Sequence, residues 1–257
     1  MRQPYFGVSS GGRGDRDRAS VRTLRARGRK CRAAGRVRYG GDVTTSVGRQ
    51  YGGRAVAERK AERRLRFLDA ATRLFAERGY TDCSLADVCA AAGLSKRQFY
   101  EEFETREDVL AAAYDRIQDE AADAVVGALA GVGRGRDPNT ADPHTALTAV
   151  LTAYLESIGA DPFRAKLAFI EVVGVSERME RHRRQRRHAW ARLLESAVVP
   201  RIVPGGRVRG RSGLAAAALI GAINGLTHEW LLSDPRPPVD DLVALLVPVA
   251  VSLIETS

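Results

Sequence analysis

The chain has 257 residues, 44% of them hydrophobic and 28% charged, enough apolar material for one ordinary domain and a smaller one. Its net charge of +10 is uneven: residues 1–56 carry thirteen Arg and one Lys against Asp15, Asp17 and Asp42, a net +11, so the remainder is close to neutral and its charge does not argue for nucleic-acid binding. Cys31, Cys83 and Cys89 form no C-x-x-C pair, which argues against a disulfide framework or a zinc site, and the longest apolar runs, near 213–226 and 242–254, fall short of the ~18–20 residues a bilayer requires.

Residues 1–56 are rich in Gly, Arg and Ser and lack any lasting apolar period, so they are expected to be a disordered basic tail. Two readings of the tail stay open. It is either an arm adding sequence-independent phosphate affinity, or a stretch upstream of the true translation start in a GC-rich genome. Arg outnumbers Lys 37 to 4, in keeping with such a genome.

From Ala57 to Arg78 the pattern turns helical, with Phe67, Leu68, Ala71, Leu74 and Phe75 three and four apart. Gly79 ends that helix. Three helix starts follow: Ser84 to Asp87, Ser95 to Gln98 and Thr105 to Asp108 each place a hydroxyl three residues before an acid or amide, the capping-box spacing. Gly93 suits the left-handed end of the helix begun at Ser84. The helix after Ser95 is therefore very short, opens with Lys96 and Arg97, and follows a three-residue turn. Two short helices joined by a glycine turn, the second with a basic start, describe a helix-turn-helix that reads DNA. Phe99 and Phe103 are its inward anchors, and a longer helix runs from Val109 to about Leu129.

Gly131–Pro143 reads as a loop. Beyond it the candidates are all helices: 145–158, 162–175, 177–199, 214–232 and 239–255, the last kinked or interrupted by Pro248. The arginine-rich run 178–192 reads as a solvated face beside an apolar stripe of Met179, Trp190, Leu193 and Leu194.

The stretch Phe67-Leu68-Asp69-Ala70-Ala71 to Leu74-Phe75 and Gly79-Tyr80, then Ser84-Leu85-Ala86-Asp87-Val88, Gly93-Leu94-Ser95-Lys96, Phe99-Tyr100, Phe103 and Arg106-Glu107-Asp108-Val109-Leu110, resembles the N-terminal domain of TetR/AcrR-family transcriptional regulators. The resemblance covers about residues 60–115. It implies an all-α chain: a helix-turn-helix DNA-binding domain over 57–108 and a helical effector-binding and dimerisation domain over 109–257. It further implies a homodimeric regulator, a repressor released from an inverted-repeat operator by a small-molecule effector. Glu101 and Glu102 depart from the family's pattern, because acids there would sit near phosphate.

Within that frame Lys96 and Arg97 are expected to reach base edges, and Gln98 can pair with adenine unless it serves as the cap of Ser95. The resemblance gives Tyr100 a phosphate contact. Ser84 and Ser95 offer helix-start donors, and Arg106 a backbone clamp. A ligand pocket would draw on Tyr154, Phe163, Phe169, Trp190 and His228, with Glu171 or Asn224 as polar fixers. The dimer surface would come from Leu219, Ile220, Ile223 and Trp230 with Leu242, Leu245, Leu246, Val249 and Leu253.

An architectural DNA-coating protein that uses the basic arm is the alternative. His144, His182, His188 and His228 are scattered, and no nucleophile triad, metal spacing or phosphate loop is present, so neither an enzyme nor a cofactor or metal is expected. The N-terminus lacks the apolar stretch of a signal peptide, so a cytoplasmic, nucleoid-associated protein without a membrane partner is expected.

Overall fold

Helix α1 spans Gly48–Arg78, α2 Leu85–Ala92, α3 Lys96–Tyr100 and α4 Arg106–Val132. Helix α5 spans Pro143–Gly159, and α6, Pro162–Lys166, continues into a π-helical turn, Leu167–Glu171. Helix α7, Glu177–Leu193, runs through a second π-helical turn, Leu194–Val198, into α8, Val199–Ile202. Helices α9, Leu214–Leu232, and α10, Val239–Ser252, follow. A two-residue antiparallel pair, β1 Arg207–Val208 and β2 Ile254–Glu255, is the one strand pairing among the described residues. The computed structural model describes the backbone of residues 48–132, 142–202, 207–208 and 213–255, and side chains from Val56 onward apart from 207, 208 and 255.

Several sequence expectations need correction. Helix α1 begins at Gly48, so the expected tail over 1–56 is too long; residues 1–47 lie outside the described residues, as do 133–141 of the expected loop. Helix α6 and its π turn stop at Glu171 rather than 175, ahead of Gly174 at φ +71°. The helix expected over 177–199 is interrupted by the π turn at Leu194. Helix α10 ends at Ser252, not Glu255, and runs unbroken through Pro248. Both Pro248 and Ala244, whose carbonyl loses its partner there, face outward, where solvent can take the acceptor.

The core explains the chain order. Phe67 on α1 meets Phe99 edge-on at 5.3 Å and Phe103 at 6.1 Å, and all three are buried. Burying each ring contributes about 1.5–3 kcal/mol. Helix α4 serves both ends of the molecule: Val109 and Leu110 close the helix-turn-helix core, while Ile117, Ala121, Val125 and Leu129 pack against α5. Helix α5 is buried along Leu147, Val150, Leu151, Tyr154, Leu155 and Ile158 and lies between α4 and α10.

Candidate nucleic-acid interface and effector cavity

The helix-turn-helix is built by local hydrogen bonds. Ser84 Oγ accepts from the Asp87 amide at 3.1 Å while the Ser84 amide donates to Asp87 Oδ2 at 2.8 Å. Ser95 and Gln98 do the same at 3.3 and 3.0 Å, and Thr105 and Asp108 at 3.2 and 2.7 Å. Each cap contributes about 1 kcal/mol. The hydroxyl of Ser84 holds the Asp87 carboxyl below its usual range, and the Ser84 amide helps. Gly93, at φ +62°, closes α2: its amide donates to Ala90 and that of Leu94 to Cys89, a Schellman pair. Arg66 reinforces the turn by donating to the Ala92 carbonyl at 2.8 Å.

This turn presents α3 outward. Lys96 is exposed, the Arg97 side chain is 91% exposed and Tyr100 60% exposed, while Phe99 between them is fully buried. Ser84 and Ser95 are exposed at the two helix starts. Gln98 Oε1 is occupied by the Ser95 amide and hydroxyl, so the capping alternative holds for that oxygen. Arg106 departs from expectation. Its guanidinium turns inward, donates to the Cys83 carbonyl and lies 4.2 Å from the Tyr80 ring centroid, because the turn between α1 and α2 leaves that acceptor open. It braces the domain through this one nitrogen.

The two acids after Tyr100 are already neutralised. Glu102 has a buried side chain paired with Arg63 at 3.2 Å. Glu101 pairs with Arg63 at 3.3 Å and with Arg97 at 3.6 Å. Burial pushes the Cys83 and Cys89 thiols up, which keeps them protonated and unreactive.

The arginine run on α7 is only partly a solvated face. Arg178 pairs with Glu107 and Asp108 at 2.8 and 2.7 Å, His182 meets Asp115 at 2.8 Å, and Arg186 bridges Asp115 and Asp119. Helix α7 is thus tied by charge to the helix that leaves the DNA-binding unit. A second tie comes from the segment after α5: Lys166 donates to the Ala76 carbonyl at 2.6 Å and Glu171 accepts from the Tyr80 amide at 2.9 Å, both at the end of α1.

A cavity lies among α4, α5, α7 and α9, with about 530 Å³ of atom-free space of which about 50 Å³ is open to the centres of water molecules. Tyr154, Trp190 and Asn224, three of the residues expected at a pocket, line it. Tyr114, Gln118 and Arg187, which sequence reasoning missed, line it too. The four-residue spacing of Tyr114 and Gln118 was the available signal, hidden because α4 reads as plain amphipathic core. Trp190 Nε1 donates to Gln118 Oε1 at 2.7 Å, and Tyr154 meets Trp190 edge-on at 5.3 Å. Burial pushes the Tyr154 and Tyr114 hydroxyls up, so both stay neutral.

The other four expected pocket residues lie elsewhere. Phe163 packs beside Arg73, and Phe169 is core whose carbonyl meets His228 Nδ1 at 3.3 Å. Glu171 is engaged by Tyr80. Phe169 and Glu171 lie within the π turn, which rotates them away from the face that a regular helix would present.

The expected dimer residues also divide. Leu219, Ile220, Trp230, Leu242 and Leu246 are buried within their own chain, Ile223 lines the cavity and Leu253 is half-buried. Leu245 and Val249 alone of the nine are exposed, at 62% and 40%. Trp230 is fixed by a bond to the Pro237 carbonyl at 2.7 Å.

Two family profiles match this architecture. Residues 67–113 match "Bacterial regulatory proteins, tetR family", and residues 143–253 match "BetI-type transcriptional repressor, C-terminal". The chain belongs to the TetR family of bacterial regulatory proteins. It is a DNA-binding transcriptional regulator, and the DNA-coating alternative is not favoured. It is 26% identical over 207 residues to the HTH-type transcriptional regulator AcrR of Shigella flexneri, covering 76% of this chain and 92% of that one. A transcriptional regulator from Pseudomonas aeruginosa PAO1 shares the fold at a TM-score of 0.60 and 21% identity, covering 75% of this chain and 90% of that one. FadR from Bacillus subtilis, solved in complex with stearoyl-CoA, aligns at 0.54 and 16% identity over 74% and 99%. The TetR family consists of regulators rather than enzymes, and among the described residues no helix is long and apolar enough to cross a membrane.

Proposed function

We propose that the chain acts as a cytoplasmic homodimeric repressor, with residues up to about 108 as its DNA-reading domain and the rest as effector and dimer domain. Two copies of α3 enter successive major grooves of an inverted repeat. Lys96 and Arg97 read base edges, Arg97 through the O6 and N7 of guanine. Tyr100, Ser84 and Ser95 hold phosphates, and the Nε2 of Gln98 remains available to a base or phosphate. The single observation that carries this reading is the α3 surface: Lys96, Arg97 and Tyr100 stand exposed around a fully buried Phe99.

The second copy docks on the outer face of α9 and α10. There Ala217, Ala218, Gly221 and Gly225 on α9 and Ala244, Leu245, Pro248 and Val249 on α10 are exposed. Nothing lies within 4 Å of a Cβ placed on Gly221 or Gly225, so that face leaves room for a partner helix to approach closely. An effector bound in the cavity moves α4 and α7 together through their ion pairs and alters the spacing of the two α3 helices. FadR from Bacillus subtilis, which shares this fold, takes stearoyl-CoA, a ligand with a long acyl chain.

Arg97→Ala and Tyr100→Phe test the assignment. Arg97→Ala is expected to weaken operator binding by about 1–3 kcal/mol per half-site and to relax preference at one base position. Tyr100→Phe is expected to weaken every sequence alike. Equal, sequence-independent losses from both would remove the base-reading role of Arg97.

A further inference from the structure

The cavity's charge and hydrogen-bonding groups form an unusual set. Among the described residues its only ionic lining residue is Arg187, and none of them lines it with a carboxylate. Arg183 pairs with Glu180 and Arg186 with Asp115 and Asp119, whereas Arg187, like Arg184 on the same helix, makes no ion pair among the described residues. Tyr114 and Tyr154 are more than nine-tenths buried, line the cavity, and find no hydrogen-bond partner for their hydroxyls among the described residues. Gln118, equally buried, has its oxygen occupied by Trp190. Its amide nitrogen is thereby left to donate.

Those groups can all donate: two phenol hydroxyls, one guanidinium and one amide nitrogen share mostly apolar walls with the Asn224 amide, which can donate or accept. These donor atoms are not sealed from water, so a ligand that displaces the water needs an acceptor-rich head group. A carboxylate is such a head group, and its charge complements Arg187 in a partly dry site. The three aromatic rings alone would suit a quaternary ammonium. The unpaired guanidinium beside them opposes one. The space open to water is about 50 Å³, below the roughly 300–1,000 Å³ of small-molecule sites, so a ligand of that size must push the cavity's walls apart.

We infer that the effector is an apolar carboxylate whose head group is held by Arg187, Tyr154 and Tyr114, and that cations of the same body are rejected. The inference rests on the effector reading of this cavity. It is tested by calorimetric titration of the full chain with decanoate, decanol and decyltrimethylammonium, all below micelle formation. Decanoate is expected to bind at least tenfold tighter than either of the others. Arg187→Met is expected to abolish that preference, Arg187→Lys to retain most of it, and Tyr154→Phe to weaken decanoate severalfold. Equal or tighter binding of the alcohol or the ammonium overturns the inference. So does undetectable binding of decanoate, or an undiminished preference in Arg187→Met. Binding of decanoate that leaves operator DNA in place would instead defeat the release mechanism, so the two failures are distinguishable.

Discussion

Glu101 is the residue whose removal should strengthen DNA binding. In the free protein it pairs with Arg97, whose side chain is 91% exposed, at 3.6 Å. Arg97 must leave that partner to reach a base. An exposed pair of this kind contributes about 0.2–0.5 kcal/mol, with Arg preceding Glu the weaker order. In the proposed complex the carboxylate would also face phosphate, and at roughly 10 Å in water one such repulsion is about 0.4 kcal/mol before screening. Glu101→Gln removes both terms without emptying the site. Arg63 keeps Glu102 as its partner at 3.2 Å, so the α1–α3 contact survives. The gain is then roughly 0.5–1 kcal/mol per half-site, or on the order of 5- to 30-fold for a dimer. Fluorescence anisotropy on operator DNA, at several salt concentrations and in both the wild-type and Arg97→Ala backgrounds, measures it. The gain should shrink in the Arg97→Ala background and at high salt. Weaker binding by Glu101→Gln, or the same gain with and without Arg97, refutes the competition.

Gly159→Ala would place a Cβ 2.7 Å from Cη2 of Trp230, whose ring is fixed by its bond to Pro237. Overpacking of this kind costs about 1–3 kcal/mol, so thermal denaturation should shift down by several degrees; an unchanged or higher Tm would show that the ring yields. Burial pushes the Glu107 and Asp108 carboxyls up, but hydrogen bonds from Arg178, with those of Ser176 and Thr105, outweigh it and hold both below the usual range. Their contribution to stability is therefore complete above the unfolded carboxylate pKa near 4 and is lost as pH falls through the lower folded values. Denaturant titrations across pH 2–6 should show that loss in the native protein and a smaller one in Arg178→Ala; identical profiles would remove Arg178 as the cause. Leu245→Glu alters a side chain already 62% exposed, so the monomer should keep its fold while sedimentation shows loss of the dimer and operator affinity collapses. A stable Leu245→Glu dimer would place the interface elsewhere.

The DNA-reading unit was legible in the sequence because local chemistry specifies it. Three hydroxyl-to-acid or hydroxyl-to-amide spacings and Gly93 set the helix starts and the turn, and the structure reproduces all three caps. Arg106 could not be placed the same way, since its acceptor, the Cys83 carbonyl, is twenty-three residues away and is set by tertiary packing. The cavity was less legible for a related reason. Aromatic residues mark core and pocket alike, and only the packing of four helices separates Tyr154 and Trp190 from Phe163 and Phe169. Arg187 was invisible within a run of seven arginines until α4's acids claimed its neighbours. Sequence alone could not divide the expected dimer residues of α10, because that helix is apolar on two faces: Leu242 and Leu246 turn inward while Leu245 and Val249 turn outward.

Selection of bound fragments from a random duplex pool with the full chain, at about 150 mM salt where non-specific phosphate affinity is reduced, tests the central claim most directly. The account predicts enrichment of an inverted repeat whose half-site centres are separated by about one helical turn or a multiple of it, bound as a dimer. Binding without enrichment, or enrichment of a single asymmetric site bound by one copy, would contradict it.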